Sequence, residues 1–113
     1  MADCLFCRMV SGEIPVDKLH DDDRLFAIRD IHPRAPVHFM VIPKEHIPTL
    51  AELTEEHAAL LYHMIEVGRE VAAKEGIAER GYRVVINCGV EGGQAVFHLH
   101  MHVLGGRTLR AEG

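Results

Sequence analysis

Residues 92–106 read GGQAVFHLHMHVLGG, and the alternation within this stretch decides how the whole chain is interpreted. In an extended strand successive side chains point to opposite faces, so His98, His100 and His102 share one face and the apolar residues between them share the other. A helix would place His100 almost opposite its two neighbours. The sequence therefore predicts a strand over 96–104, with an apolar back on a core. Because Thr or Val would suit a half-buried strand better, the three imidazoles on its front indicate function.

The bulk properties indicate one ordinary globular domain, residues 1–113, with 48% hydrophobic and 26% charged residues. The formal net charge is −5 and no cluster of Lys or Arg is present, which argues against nucleic acid as the main partner. A small anionic ligand stays open, because backbone N–H groups and imidazoles bind phosphate without a basic surface.

The N-terminal residues MADCLFCRMV have no basic start followed by an apolar run, and no segment has the ~18 apolar residues that span a bilayer. We therefore expect no signal peptide, no membrane partner and a cytoplasmic protein. Three cysteines, an odd number, do not suggest a disulfide framework. Cys88 is expected to be a small buried hydrophobe.

Periodicity and turn signals divide the rest of the chain into two helices and five strands. Helices are predicted over 3–12 and 53–75, and strands over 16–20, 24–31, 37–42, 82–87 and 96–104. Asp3 is expected to cap the first helix and Thr54 the second, without a capping box because His57 stands at the third position. This order predicts an α+β fold, a five-stranded, mainly antiparallel sheet with one short and one long helix to one side.

Alternate histidines on a strand support two kinds of chemistry. They can bind one catalytic metal ion, or one imidazole can act as a nucleophile while its neighbours orient it. Charge on a phosphoryl group needs donors placed in advance, which Asn87, the Gly92–Gly93 backbone, Gln94 and His102 could supply. The glycine pair is expected to let the backbone approach a ligand closely.

Two further groups of residues have more than one interpretation. Cys4-x-x-Cys7 places two thiols one helical turn apart, as soft metal ligands need, but two packed thiols or a redox pair are alternatives. His20, His32, His57 and His63 have no assigned chemistry and are expected on surfaces or helix faces.

The chain resembles the histidine-triad family, in its nucleotide-binding and phosphoramidase branch. The motif is His98-Leu99-His100-Met101-His102-Val103-Leu104, preceded by GGQ and followed by LGGR. The resemblance continues upstream through CLFC at 4–7, GEIP at 12–15, FAIRD at 26–30, APVHF at 35–39 and VIPKEH at 41–46.

This resemblance implies a homodimer whose two five-stranded sheets join into one of ten strands, and a purine nucleotide substrate of the AMP or GMP type. It implies that His100 attacks the α-phosphate to form a nucleotidyl-histidine, with the His98 carbonyl holding its tautomer. His102 and His38 would contact the phosphate, and Asp30 the ribose hydroxyls. The remaining residues implied at the nucleotide site are Phe6, Met9, Ile28 and Ile31 around the base, and Asn87, Gly93, Gln94 and Ala95 near the phosphate and leaving group.

The chain also resembles the bacterial members of the family that have the CxxC motif and a structural zinc site. The resemblance implies Cys4, Cys7, His46 and His98 as its ligands, with no catalytic metal. Two departures affect leaving-group preference: Ala95 stands where the family often has Ser or Thr, and the C-terminus RTLRAEG lacks the aromatic, Pro-containing tail of many members.

The sequence leaves three other functions open. A dinucleoside polyphosphate hydrolase would use the same nucleophile. A nucleotide-binding regulatory module would have little turnover. A metallohydrolase would bind its metal through His98, His100 and His102.

Overall fold

The computed structural model describes residues 3–111 and contains five strands and two α-helices. In chain order the elements are α1 (Leu5–Val10), β1 (His20–Asp21), β2 (Leu25–Arg29), β3 (Val37–Pro43), α2 (Ala58–Lys74), β4 (Tyr82–Val85) and β5 (Met101–Gly105). The sheet order is β1-β2-β3-β5-β4, and every neighbouring pair is antiparallel. The predicted α+β class and five-stranded sheet are confirmed.

Alternation along the strands gives the sheet two different faces. Leu25, Ala27, Phe39 and Val41 pack with α2, whose buried residues include Met64, in the larger core. Phe26, Ile28 and Ile42 point the other way and pack with α1 in a smaller core. The helices therefore cover opposite faces, and the expectation that both lie on one side was wrong. Period-two alternation shows that a strand has two faces, but not which one each helix covers.

The histidine strand is shorter than predicted. Leu99 packs in the larger core, as the alternation requires, but β5 begins only at Met101. The last pair between β3 and β5 is Val41 with Met101. Beyond it the chain leaves the ladder, and Leu99 N–H donates to the Ile47 carbonyl at 2.6 Å. Pro43, which has no N–H, lies where the β3 ladder would have continued. His98 and His100 thus lie on extended backbone outside the regular strand.

Both helices begin differently from the prediction. The N-cap of α1 is Cys4, whose Sγ accepts from the Cys7 N–H at 3.4 Å, and Asp3 is not the cap. Before α2 the chain forms two 3-10 helices, Leu50–Glu52 and Glu55–His57. Thr54 caps the second and forms a capping box with the His57 side chain, which accepts from the Thr54 N–H. An imidazole nitrogen here accepts from the N-cap backbone N–H, as a Glu or Gln side chain does in most capping boxes.

In the Gly-rich loop before the triad, the backbone packs closely against another part of the same loop. A Cβ on Gly92 would lie 2.3 Å from the Cys88 carbonyl oxygen, so only glycine fits. Gly93 has φ +83°, in the left-handed region. Cys88 itself is exposed, against the expectation that it is buried. Within residues 3–111 no helix is long and apolar enough to cross a bilayer.

Candidate functional site

The triad imidazoles are buried on the face of the sheet that α1 covers. His98, His100 and His102 are all less than a tenth exposed. The Phe6 ring of α1 meets the rings of His98 and His100 edge-on, at centroid distances of 5.6 and 5.1 Å. Such contacts restrict ring rotation, so hydrogen bonds decide which nitrogen of each imidazole is available for chemistry.

His100 is fixed by its own chain. Its Nδ1 lies 2.7 Å from the His98 carbonyl oxygen, which can only accept, so Nδ1 carries the proton and donates it. In the neutral ring Nε2 then has a lone pair, and it has no hydrogen-bond partner among residues 3–111. His100 lines an open cleft. The arrangement presents an unprotonated nitrogen to whatever the cleft binds.

A chain of hydrogen bonds orients His102. The Arg34 backbone N–H donates to His38 Nδ1 at 3.1 Å, so the proton of neutral His38 is on Nε2. That nitrogen lies 2.9 Å from His102 Nδ1 and 3.4 Å from an Asp30 carboxylate oxygen. His102 Nδ1 therefore accepts, and the ring keeps its proton on Nε2. His102 is thus a donor on the far side of its ring.

The cleft beside His100 measures about 640 Å³ and joins most of the residues predicted at a nucleotide site. Its lining includes the predicted residues Phe6, Met9, Ile28, Asp30, Ile31, Asn87, Gly93, Ala95, His100 and His102. Ile31 is 86% exposed and lies at the rim, whereas Phe6 is 2% exposed and forms the floor.

Two predicted residues do not line this cleft. His38 lies behind His102, and its Nε2 donates to His102 Nδ1. Gln94 is buried, and its amide is used within the chain: Oε1 accepts from Gly89 N–H, and Nε2 donates to the carbonyls of Pro48 and Val96. The structure therefore gives the Gln94 side chain the task of holding the Gly-rich loop, and no free group for a phosphate.

A group of arginines at this site was not predicted from the sequence. A second cleft of about 500 Å³ adjoins the first at His102 and Asn87. Four arginines line it: Arg34, Arg83, Arg107 and Arg110. They are spread over the chain as single basic residues, so no run of charge in the sequence indicated that they converge.

Four potential metal ligands from three separated segments meet at the start of α1. Cys4 Sγ lies 3.3 Å from His98 Nδ1, Cys7 Sγ lies 3.4 Å from His46 Nδ1, and the two Nδ1 atoms are 3.1 Å apart. Cys7 Sγ is 3.7 Å from His98 Nδ1. Tetrahedral zinc with Cys and His ligands has ligand–ligand distances of roughly 3.3–3.8 Å. Cys4, Cys7, His46 and His98 could therefore hold a metal ion.

The tautomer of His98 supports the same conclusion. Its Nε2 donates to the Pro43 carbonyl at 2.7 Å, which leaves Nδ1 unprotonated and facing the two thiols. A backbone acceptor of this kind is the usual second contact of a metal-bound histidine. His98 and His100 each use one nitrogen on a backbone carbonyl, and their remaining nitrogens face different sites. This geometry does not support one catalytic metal bound by all three triad histidines.

Several known proteins are similar to this chain in sequence or in fold. Residues 3–110 match the family described as the scavenger mRNA decapping enzyme C-terminal binding domain. The chain is 51% identical to an uncharacterized HIT-like protein of Synechococcus elongatus, over 95% of this chain and 93% of that one. It is 47% identical to the purine nucleoside phosphoramidase of Escherichia coli, over 93% of this chain and 88% of that one.

A HIT family hydrolase of Clostridium thermocellum has the same fold, with a TM-score of 0.95 at 45% identity, covering 99% of this chain and 97% of that one. The chain belongs to the histidine-triad (HIT) family. Together with the intact triad motif, these relatives identify it as a hydrolase of that family.

Burial of the triad is expected to make this HIT protein sensitive to acid. Burial, together with the neighbouring His100 and His38, lowers the pKa of His102 to about 4, and burial lowers the pKa of His38 and of His98. The unfolded chain therefore binds more protons than the native one below the usual His pKa of about 6.5. Hydrogen bonds from His63 to Asp22 and Glu66 raise the pKa of His63, but its contribution changes only at higher pH.

We expect the free energy of unfolding to fall by about 2–3 kcal/mol between about pH 6.5 and pH 4. Urea unfolding at a series of pH values measures this. His102→Gln, which cannot be protonated in this range, should flatten the curve, whereas His57→Gln, which keeps the capping box, should not. An identical slope for His102→Gln and the parent chain would contradict the assignment.

Proposed function

We propose that the protein hydrolyses purine nucleoside phosphoramidates, such as adenosine 5′-monophosphoramidate, at the α-phosphate through a nucleotidyl intermediate on His100. The observation that carries the proposal is the hydrogen bond from His100 Nδ1 to the His98 carbonyl, which leaves Nε2 as the nucleophile. The likeness to the Escherichia coli purine nucleoside phosphoramidase supports the substrate class.

The cleft offers complementary surfaces for each part of such a nucleotide. Phe6, Met9 and Ile28 form an apolar wall for a purine, with Ile31 at the rim. Asp30 accepts from the His32 N–H through Oδ1, and its other oxygen can accept from ribose hydroxyls. The phosphate then lies against His100, where His102 Nε2–H can donate to its oxygens and where Asn87 and the backbone at Gly93 and Ala95 line the wall.

The proposed reaction consists of two successive displacements at phosphorus. His100 Nε2 forms a bond to phosphorus while the P–N bond of the phosphoramidate breaks, and the amine leaves with a proton taken from solvent. Water then attacks phosphorus, the bond to Nε2 breaks, and the nucleoside monophosphate leaves while one proton returns to solvent. The His98 carbonyl stabilises positive charge on the imidazole in the intermediate, because His100 Nδ1–H donates to it throughout.

We also propose that the metal at Cys4, Cys7, His46 and His98 is zinc in a structural role. The set of two thiols and two imidazoles is one that zinc prefers, and four protein ligands leave no open position for substrate. The ion would tie α1 to the segment that carries His98, next to the nucleophile.

The homodimer implied by the family resemblance is likewise a proposal. Within residues 3–111, β4 lies at one edge of the sheet and pairs with a single neighbour, β5. Val84, in the middle of β4, is 47% exposed. An unpaired edge with an exposed β-branched residue is suited to pairing with a second copy, which would give ten strands.

The substrate is tested by following release of AMP from adenosine 5′-monophosphoramidate by the purified protein. Turnover many orders of magnitude above the uncatalysed rate is expected, with AMP as a competitive inhibitor. Binding of AMP without turnover would overturn the proposal in favour of a nucleotide-binding module.

Ala95 is expected to limit how well the leaving group is assisted. It lines the cleft and has no hydroxyl, whereas serine there could donate to the departing nitrogen. We expect Ala95→Ser to raise kcat on an alkyl phosphoramidate by about threefold to tenfold. Ala95→Thr should raise kcat in the same way, and Ala95→Val, which has no hydroxyl, should not. Equal kcat for the parent chain and all three variants would contradict this prediction.

The arginine-lined cleft favours a second candidate, hydrolysis of dinucleoside polyphosphates. Arg34 lines both clefts, so its guanidinium can reach a polyphosphate leaving group that extends past His102. We expect Arg34→Ala to lower kcat/KM for diadenosine tetraphosphate about tenfold, with little change for the phosphoramidate. Arg69→Ala, on the exposed face of α2, is the control. Equal effects of Arg34→Ala on both substrates would contradict a polyphosphate subsite.

A further inference from the structure

Two histidines without a role in catalysis converge on one carboxylate, away from both clefts and from the Cys4 cluster. His20 comes from β1, Asp22 from the turn that follows, and His63 from α2. His20 Nε2 lies 2.6 Å and His63 Nε2 lies 2.7 Å from the same Asp22 oxygen, Oδ2. His63 is 41 positions from Asp22 in sequence, so this shared oxygen atom joins distant parts of the chain.

Asp22 is held by the backbone of its own turn. Its second oxygen, Oδ1, accepts from the N–H groups of Arg24 at 2.8 Å and Leu25 at 3.1 Å. The turn therefore fixes the carboxylate and leaves Oδ2 as the atom that faces the two imidazoles. Burial opposes ionisation of Asp22, yet its four hydrogen bonds together hold its pKa well below the usual range.

His63 has a carboxylate at each nitrogen. Nε2 faces Asp22, and Nδ1 lies 3.1 Å from Glu66 Oε1, one turn along α2. An Nδ1–H bond to a carboxylate, with Nε2 directed at the ion, is the arrangement found behind metal-bound histidines, where it fixes the ring and makes Nε2 more basic. Both the carboxylate and this imidazole thus have the outer contacts that metal ligands need.

From this geometry we propose that His20 Nε2, Asp22 Oδ2 and His63 Nε2 form a second metal site, for a divalent transition-metal ion such as Zn²⁺ or Ni²⁺. The three atoms lie within 4.8 Å of one another. Two imidazoles and one carboxylate suit these ions rather than Mg²⁺ or Ca²⁺. The three side chains are 21–30% exposed, so an ion from solvent can reach them and keep water in its remaining positions.

Without metal, the same atoms form a hydrogen-bonded clamp between the β1–β2 hairpin and α2. Because Asp22 Oδ2 can only accept, each Nε2 that approaches it carries a proton, and His63 with carboxylates on both sides is an imidazolium. The bound ion replaces these Nε2 protons, so binding releases protons to the buffer. A metal bound only to the folded chain also stabilises it.

The site is tested by titrating the full-length protein with Ni²⁺ at pH 7.5 in an isothermal calorimeter. We expect the parent chain to bind one more equivalent than Asp22→Asn and His63→Gln, or to bind that equivalent at least about tenfold more tightly. Asn keeps Oδ1 as the acceptor for the turn, so Asp22→Asn should fold. His20→Asn, at the end of a two-residue strand, provides a third variant.

His57→Gln is the matched control, because it removes an imidazole outside the cluster. It should bind nickel like the parent chain. Repeating the titration in two buffers of different ionisation enthalpy should show release of at least one proton per ion for this equivalent. Equal stoichiometry and affinity in the parent chain and all three cluster variants would overturn the site. Nickel displaced by AMP would overturn it too, since that would place the ion at Asp30, His38 and His102, the other cluster of ligand atoms.

Discussion

Replacing His100 with glycine is expected to lower turnover of adenosine 5′-monophosphoramidate by on the order of 10⁴-fold or more. No other imidazole can substitute, because His98 Nε2 is bound to the Pro43 carbonyl and His102 Nδ1 accepts from His38. His102 has its proton on the remaining nitrogen and can donate there but not attack. Loss of the His100 ring therefore removes the only unprotonated nitrogen that the triad presents to the nucleotide cleft.

Mass spectrometry of protein quenched in the cold during turnover should detect an adenylyl adduct on the parent chain and none on His100→Gly. Added imidazole, which fits the space left by the ring, should restore part of the turnover of this variant. His57→Gln should form the adduct normally. Turnover that survives in His100→Gly without imidazole would exclude the covalent mechanism.

Loss of the proposed zinc ion at Cys4, Cys7, His46 and His98 is expected to have the second largest effect, on stability rather than on the chemical step. Two of the ligands anchor α1, which has only six residues and is far too short to be stable alone. The folded chain would bind the ion much more tightly than the unfolded chain can, and this difference in affinity would add to the free energy of unfolding. We expect a loss of about 3 kcal/mol or more, which corresponds to roughly 10–20 °C in Tm.

Cys4→Ser is a sharp test because it separates the cap from the ligand. Cys4 Sγ caps α1 through the Cys7 N–H, and a serine hydroxyl is a good N-cap, so the helix start is kept while the thiolate is lost. Zinc content should fall by one equivalent and Tm should fall, whereas Cys88→Ser, at the exposed third cysteine, should change neither. A Tm for Cys4→Ser equal to that of Cys88→Ser would contradict a structural metal.

With the fold intact, the metal-depleted protein should still form the adenylyl adduct on His100. The hydrogen bond that fixes the His100 tautomer comes from the His98 backbone and does not involve its metal-facing Nδ1. Chelation that abolished the adduct at a temperature where the chain stays folded would instead point to a catalytic metal.

Several features of the fold could be predicted because they depend on local periodicity. The two faces of 98–104, the two faces of β2 and β3, and the amphipathic α2 follow from side-chain direction alone. Boundaries were less accurate because tertiary contacts decide them. β5 begins at Met101 because the ladder with β3 ends there, and α2 begins at Ala58 because two 3-10 helices precede it. The local sequence of one segment does not indicate which distant segment it pairs with, or where that pairing ends.

The chemistry divides in the same way. From its sequence alone the chain could be recognised as a histidine-triad protein. The proposed nucleophile, phosphate donors and Cys and His metal ligands were predictions by position, made from the family resemblance. Gln94 was expected near the phosphate but is held inside the loop by Gly89, Pro48 and Val96, since a motif names a residue and not its hydrogen-bond partners.

Only the tertiary structure decided which nitrogen of each imidazole is available. A backbone carbonyl can only accept a hydrogen bond, and a backbone N–H can only donate one. The placement of the His98 and Pro43 carbonyls and of the Arg34 N–H therefore assigns one role to each ring. The convergence of His20, Asp22 and His63 belongs to the same category, because it joins a hairpin to a helix more than forty residues away. Sequence supplied the kinds of group, and the packing of distant segments determined the direction in which each one acts.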